Sequence, residues 1–253
     1  MLGKVERALS AAVKRCGTIC VALIDSEGIA PSQAASVAKR AVSCGVEAVL
    51  VGGSTAVDQL ELHRIVMDVK RVTTRPVILF PGNITGVSPD ADAILFSSLL
   101  NSDNPYFITE AQALGALAVK KYHLEAIPMA YLIVGEGGAT GFVGRARGIP
   151  QDKPNLVVMY ALAAQYLGMR FLYLEAGSGV TSQVPPRIVA HVRKAYNGTL
   201  IVGGGIKDPS HASPLARAGA DILVIGTLLE TKRFETSLTR IIRSVTQEKN
   251  HRI

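Results

Sequence analysis

The chain has 253 residues, 48% of them hydrophobic, with 27 lysines and arginines against 20 acidic residues and a formal charge of +7. No apolar run approaches the roughly 18 residues that cross a bilayer, the charged amphipathic start does not read as a signal peptide, and three cysteines (Cys16, Cys20, Cys44) without metal-ligand spacing, one left over in any disulfide scheme, are expected to be buried, reduced thiols. Basic residues are scattered along predicted helices without interleaved aromatics and gather only near the end (Lys232, Arg233, Arg240, Arg243, Lys249, Arg252), so a cytoplasmic protein with small anionic substrates, or an acidic lipid surface near them, is expected, with no nucleic acid.

Short β-branched runs alternate with amphipathic helical stretches along the whole chain, the pattern of repeated βα units around a parallel sheet. Eight strands are predicted, at residues 18–24, 46–51, 76–80, 92–96, 126–134, 170–174, 199–202 and 221–225. Most are nearly continuous apolar runs, as suits strands covered on both faces. The expected fold is a single-domain (β/α)8 TIM barrel over residues 1–253, whose functional groups lie where strands run out at the carboxyl end.

Strand one is followed by Asp25-Ser26-Glu27 and strand two by Gly52-Gly53-Ser54-Thr55. Adjacent strand ends bring Asp25 and Ser54 close together, and a carboxylate plus a hydroxyl suits Mg²⁺, which keeps waters and takes substrate phosphates as ligands. Capping of the following helices, the second starting near Thr55, accounts for the same two residues, and both readings stay open. From 81 to 91 the connection holds Pro81, Gly82, Asn83, Gly86 and Pro89, too short and too broken for a helix. The third barrel helix is expected to be missing, which opens an apolar edge flanked by Phe96, Leu99, Leu100, Tyr106 and Phe107, unless the loop covers its own core. The glycine-rich stretch 135–150 after strand five, with Glu136, Arg145 and Arg147, reads as a functional lid, with an inert insertion as the alternative.

After strand six comes Tyr173-Leu174-Glu175-Ala176-Gly177-Ser178-Gly179, after strand seven Gly203-Gly204-Gly205-Ile206, and after strand eight Gly226-Thr227. Glycines let backbone amides approach a phosphate closely, and the Ser178 and Thr227 hydroxyls add donors. One such cluster is accounted for by a tight turn. Three on successive strands point to a phosphate site, which barrels commonly build after strands seven and eight. Glu175 lies inside this constellation as a candidate catalytic carboxylate that orients or deprotonates a substrate hydroxyl, and Tyr173 shares its strand face. A structural ion pair is the other role open to Glu175.

These motifs, with Val51-Gly52-Gly53-Ser54-Thr55 and Phe80-Pro81-Gly82-Asn83, together resemble the geranylgeranylglyceryl phosphate synthases, the archaeal ether-lipid prenyltransferase family. The likeness runs in order from strand one to strand eight. It implies a barrel without its third helix and a reaction joining the C3 hydroxyl of sn-glycerol 1-phosphate to geranylgeranyl diphosphate, with Mg²⁺ assisting release of diphosphate. It further implies that Asp25 and Ser54 hold Mg²⁺, Asp25 thereby acting in catalysis, while Tyr173, Leu174, Glu175, Ala176, Gly177, Ser178, Gly179, Gly204, Gly205, Gly226 and Thr227 hold glycerol phosphate. The family's symmetric assembly makes a homo-oligomer expected. Arg145 and Arg147 are further candidates for assisting the diphosphate as the lid closes. One departure is Asp25-Ser26-Glu27, where many relatives have Asp-Pro and an acid, so the turn here is less rigid. A different prenyl chain length, a metal-free phosphosugar isomerase or aldolase, and a basic binding module are the competing readings. The lack of a lysine at a strand end counts against the aldolase.

Overall fold

The computed structural model describes residues 2–27, 29–53, 58–178 and 182–247. Eight parallel strands close in chain order into a barrel: β1 (Ile19–Asp25), β2 (Val49–Gly52), β3 (Val77–Leu79), β4 (Ala93–Leu99), β5 (Glu125–Gly137), β6 (Phe171–Ser178), β7 (Thr199–Gly203) and β8 (Ile222–Ile225). β8 pairs back onto β1, Ile222 opposite Ile19. The fold is the expected TIM barrel, and each predicted strand is present.

Alternation along the strands sorts the apolar residues into two layers. In β6, Phe171 and Tyr173 pack inside the barrel with Met129 and Ile201, while Leu172, Leu174 and Ala176 pack outward with Val157, Ala161 and Val189. Both faces are dry, which is why the strand sequences read as unbroken apolar runs.

A first helix, α1 (Lys4–Cys16), buries Val5, Leu9 and Ala12 against the barrel interior. Its amides at Val5 and Glu6 donate to the Glu125 carboxylate at 2.7 and 2.8 Å, and Arg170 forks onto Glu6 at 2.6 and 2.7 Å. These groups stand at the amino ends of β5 and β6, so α1 packs across that end. The outer ring consists of α2 (Pro31–Cys44), α3 (Gln59–Val72), α4 (Ala111–Lys121), α5 (Gly138–Val143), α6 (Pro154–Tyr166), α7 (Pro186–Ala195), α8 (Pro209–Arg217) and α9 (Phe234–Gln247). No helix among the described residues is long and apolar enough to cross a membrane.

Between β3 and β4 there is no helix, as the broken sequence requires. Tight turns replace it, with the Gly86 amide donating to the Asn83 carbonyl at 3.1 Å and the Thr85 amide to Asn83 Oδ1 at 2.8 Å. Val87 is buried, so the loop covers part of the strand face itself.

The expected lid after strand five takes another form. β5 runs on to Gly137 and α5 follows, tied down by bridges from Val134 to Ile149 and from Ser102 to Ala146. Glycine serves close backbone contact here: Gly137 lies opposite Gly177, and a Cβ at Gly177 would collide with the Gly137 backbone. The capping reading also changes. α3 begins at Gln59, capped by Asp58, which accepts from the Leu60 and Glu61 amides at 2.9 and 3.1 Å. α2 begins at Pro31 with Ala30 at its cap position, so Asp25 caps no helix.

Candidate active site

A cavity of about 590 Å³ opens at the carboxyl end of the barrel, within the range that takes small ligands. Its polar part is ringed by the ends of β1, β6, β7 and β8. Its apolar arm is lined by both the inward Leu95 and Leu99 and the outward Ile94 and Phe96 of β4, with Val87 and Val119 beyond. The cavity therefore passes from the barrel mouth into the space a third helix would fill. Of the residues predicted to flank that edge, Phe96, Leu99 and Phe107 line it; Leu100 and Tyr106 do not.

Glu175 sits within β6, buried, its Oε1 accepting the Gly177 amide at 2.6 Å. Burial pushes its carboxyl above the usual range, against the opposing pull of the Tyr173 hydroxyl and the Gly177 amide. The Tyr173 hydroxyl is near enough to act on that charge but lacks hydrogen-bond geometry, and it has no partner among the described residues. A buried donor left unpaired is costly, about 1–3 kcal/mol, and marks a group that a ligand can satisfy. Tyr131 and Phe80 complete an aromatic wall, with ring centroids 5.0 Å apart for Tyr131–Tyr173 and 5.5 Å for Phe80–Tyr173. Burial, reinforced by the Glu175 charge, raises both phenols well above their ordinary value, so both stay protonated donors.

Next to Glu175 the chain bends through Gly204 and Gly205, with φ of +88° and +71°, the left-handed region that favours glycine. A Cβ at Gly204 would lie 2.5 Å from Glu175 Oε1. Gln183 donates to the Gly205 carbonyl at 2.8 Å and fixes that peptide. One strand over, Gly226 precedes a single 3₁₀ turn, Thr227–Glu230, whose first amides have no acceptor within the helix. Gly204, Gly205, Gly226 and Thr227 all line the cavity, giving the amide-rich trough in which barrels bind phosphate.

Asp25 lines the cavity from the end of β1, the strand paired with β8, with Oδ1 accepting the Glu27 amide at 3.0 Å. No group of three or more His, Cys, Asp or Glu side chains suited to a metal occurs among the described residues. Asp25 and Glu27, both on the cavity wall, are too few to cage a metal and could hold Mg²⁺ only where phosphate oxygens supplied further ligands. Ser54 and Thr55 lie outside the described residues, as do Gly179 and the Ser178 side chain.

Of the predicted residues, the cavity unites Asp25, Tyr173, Glu175, Gly177, Gly204, Gly205, Gly226 and Thr227. Leu174 and Ala176 are not among them: alternation turns their side chains into the layer beneath the helices. The Gly177 amide is engaged by Glu175, so this residue positions the carboxylate. Arg145 and Arg147 do not line the cavity; Arg145 pairs with Asp103 at 3.1 Å. Tyr131, Thr140, Phe80 and Lys207 line it unforeseen. For Tyr131 the sequence offered only period-two alternation with Met129 and Ile133; its place opposite Tyr173 is set by the register of β5 on β6.

The model of the PcrB family matches residues 16–246. The geranylgeranylglyceryl phosphate synthase of Cenarchaeum symbiosum is 55% identical, covering 96% of this chain and 99% of the relative. That of Nitrosopumilus maritimus is 54% identical over 97% of this chain and 98% of its own. Among solved structures, (S)-3-O-geranylgeranylglyceryl phosphate synthase from Thermoplasma acidophilum, in complex with sn-glycerol-1-phosphate, superposes with a TM-score of 0.92 at 38% identity, covering 98% of this chain and all of that one. Matched along nearly its whole length in sequence and in fold, the chain belongs to the PcrB family.

Proposed function

We propose that the chain is a prenyltransferase that joins the C3 hydroxyl of sn-glycerol 1-phosphate to C1 of geranylgeranyl diphosphate and releases diphosphate, forming the first ether bond of archaeal membrane phospholipids. The carrying observation is the pairing, in one cavity, of a phosphate trough beside a buried carboxylate with an apolar arm through the gap of the missing helix. The names of the relatives and the ligand of the Thermoplasma acidophilum enzyme support the same reading.

In this reading the amides at Gly204, Gly205, Gly226 and Thr227 hold the phosphate, and the Tyr173 hydroxyl finds its partner on the glycerol. Glu175 takes the proton of the C3 hydroxyl as that oxygen bonds to C1, and the bond from C1 to the diphosphate oxygen breaks with its electron pair leaving on diphosphate. A carboxylate raised by burial is a stronger base than an exposed one. Asp25 would hold Mg²⁺ together with diphosphate oxygens, and the bound ion supplies neutralisation of charge on the leaving group. The apolar arm receives the prenyl tail, each buried methylene contributing about 0.8 kcal/mol.

The same proposal extends to a cytoplasmic homo-oligomer. α4 and α6 turn Leu114, Leu117, Leu156, Met159 and Tyr166 to solvent, and such apolar outer faces mark contact surfaces. The +7 charge and an amphiphilic product favour peripheral contact with an anionic membrane surface.

The test is diphosphate release by the purified chain with both glycerol phosphate enantiomers and prenyl diphosphates of several lengths, with and without Mg²⁺. Release is expected with the sn-1 enantiomer, the C20 donor and Mg²⁺, and Asp25→Ala should abolish it. Metal-independent isomerisation of a phosphosugar without diphosphate release would overturn the proposal.

A further inference from the structure

The ionisable side chains on the cavity wall are unevenly signed. Asp25, Glu27, Glu175 and Glu230 contribute carboxylates, and among the described residues Lys207 is the only lysine or arginine there. Both substrates of the proposed reaction are anions, and four carboxylates around a mouth of modest dielectric repel them. Backbone amides oppose that repulsion only through partial charges.

Lys207 is two residues beyond Gly205, between the glycine bend and α8. Its own backbone is held by a contact of its amide with His211 Nδ1 at 3.4 Å. The adjacent Asp208 does not neutralise it: that carboxylate caps α8, accepting from the Ser210 hydroxyl and from the Ser210 and His211 amides. No carboxylate of the described residues comes within 4 Å of the Lys207 ammonium to form an ion pair. The side chain is thus a free cation on a flexible stem at the edge of the phosphate trough, the arrangement suited to a point-charge contact with phosphate.

We propose that Lys207 is a binding residue for the phosphate of the glycerol substrate, supplying the positive charge that the glycine amides of β7 and β8 lack. This rests on the phosphate reading of that trough. Because the ammonium is solvent-exposed, its contribution is moderate and weakens with ionic strength.

The experiment compares the intact chain with Lys207→Ala and Lys207→Arg. Steady-state kinetics are run for each substrate, together with calorimetric titration of sn-glycerol 1-phosphate without the prenyl donor. Lys207→Ala is expected to raise KM and Kd for glycerol phosphate about three- to tenfold, the size of one exposed charge-assisted contact. kcat, the KM for the prenyl diphosphate and the melting temperature should stay unchanged, Lys207→Arg should restore binding, and the gap should narrow as salt rises. Equal glycerol phosphate binding by Lys207→Ala and the parent overturns the inference, as does a rise confined to the KM for prenyl diphosphate. Failure of the parent itself to bind glycerol phosphate would instead sink the phosphate reading on which the inference rests.

Discussion

The backbone amide of Gly177 donates to Glu175 Oε1 at 2.6 Å, from a residue whose φ of +121° and contact with the Gly137 backbone admit no side chain. The strand that carries the carboxylate also aims it. Two links that look separate in sequence, a glycine motif and a candidate base, are therefore one device, and Gly204 completes it by leaving room for the same oxygen.

The protonation of Glu175 is expected to pull stability and activity in opposite directions. Burial raises its carboxyl above the ordinary 4.5, so the folded state binds this proton more tightly than the unfolded chain. Its contribution to stability is then complete below that ordinary value and is lost as pH rises through the raised one. Glu175→Gln, neutral throughout, should melt at or above the parent temperature near neutral pH and lose that advantage in acid. As the base must be ionised, kcat/KM should rise with pH through the same raised value, and Glu175→Gln should cost about 10²–10⁴ in kcat. Melting and rate profiles across pH on both proteins check the pair; full turnover by the variant removes Glu175 as the base.

Gly115 lines the apolar arm from within α4, and a Cβ added there would meet nothing within 4 Å. Gly115→Ala should therefore stabilise the helix by about 0.5–1 kcal/mol without loss of activity. Gly115→Phe should block the arm and shift preference towards shorter prenyl diphosphates by roughly tenfold to a hundredfold in relative kcat/KM. A chain-length series measures this directly.

At the closed end of the barrel, Arg170 forks onto a Glu6 side chain that is 4% exposed, while Arg170 is itself 43% exposed. Arg170→Ala leaves Glu6 enclosed and unpaired, but water reaches part of the pair, so the cost should be roughly 2 kcal/mol, short of the 3–5 kcal/mol of a fully buried pair. Thermal unfolding should drop by about 4–8 °C. kcat/KM should not change, because the cavity opens at the other end.

On α6, Leu156, Met159, Ala163 and Tyr166 recur at helical spacing on an outward face, with Tyr166 80% exposed. Sedimentation velocity should find the parent associated and Met159→Glu shifted towards monomer. A parent that sediments as a monomer at micromolar concentration would remove the oligomer.

Much of the fold was legible because its signals are local. Apolar runs marked each strand, and Pro81 and Pro89 forbade the third helix, since proline supplies no amide and clashes within a helix. Period-two alternation placed Tyr173 and Glu175 on one face. The same rule sends Leu174 and Ala176 to the other, although the motif alone groups all four. The stretch 135–150 misled because glycine permits both a loose lid and a close crossing of backbones; only the Gly137–Gly177 contact distinguishes them.

By itself the sequence determined the repeated βα units, the missing helix, the glycines at three strand ends and the carboxylates Asp25 and Glu175. Tertiary structure decided which of these meet, because closing β8 onto β1 brings together strand ends far apart in the chain. That closure set the orphaned Tyr173 hydroxyl against Phe80 and Tyr131, and left Lys207 as the one lysine or arginine among the described residues of the cavity wall. Local periodicity says which way a side chain points; it carries no information on what stands opposite until the barrel's register is closed.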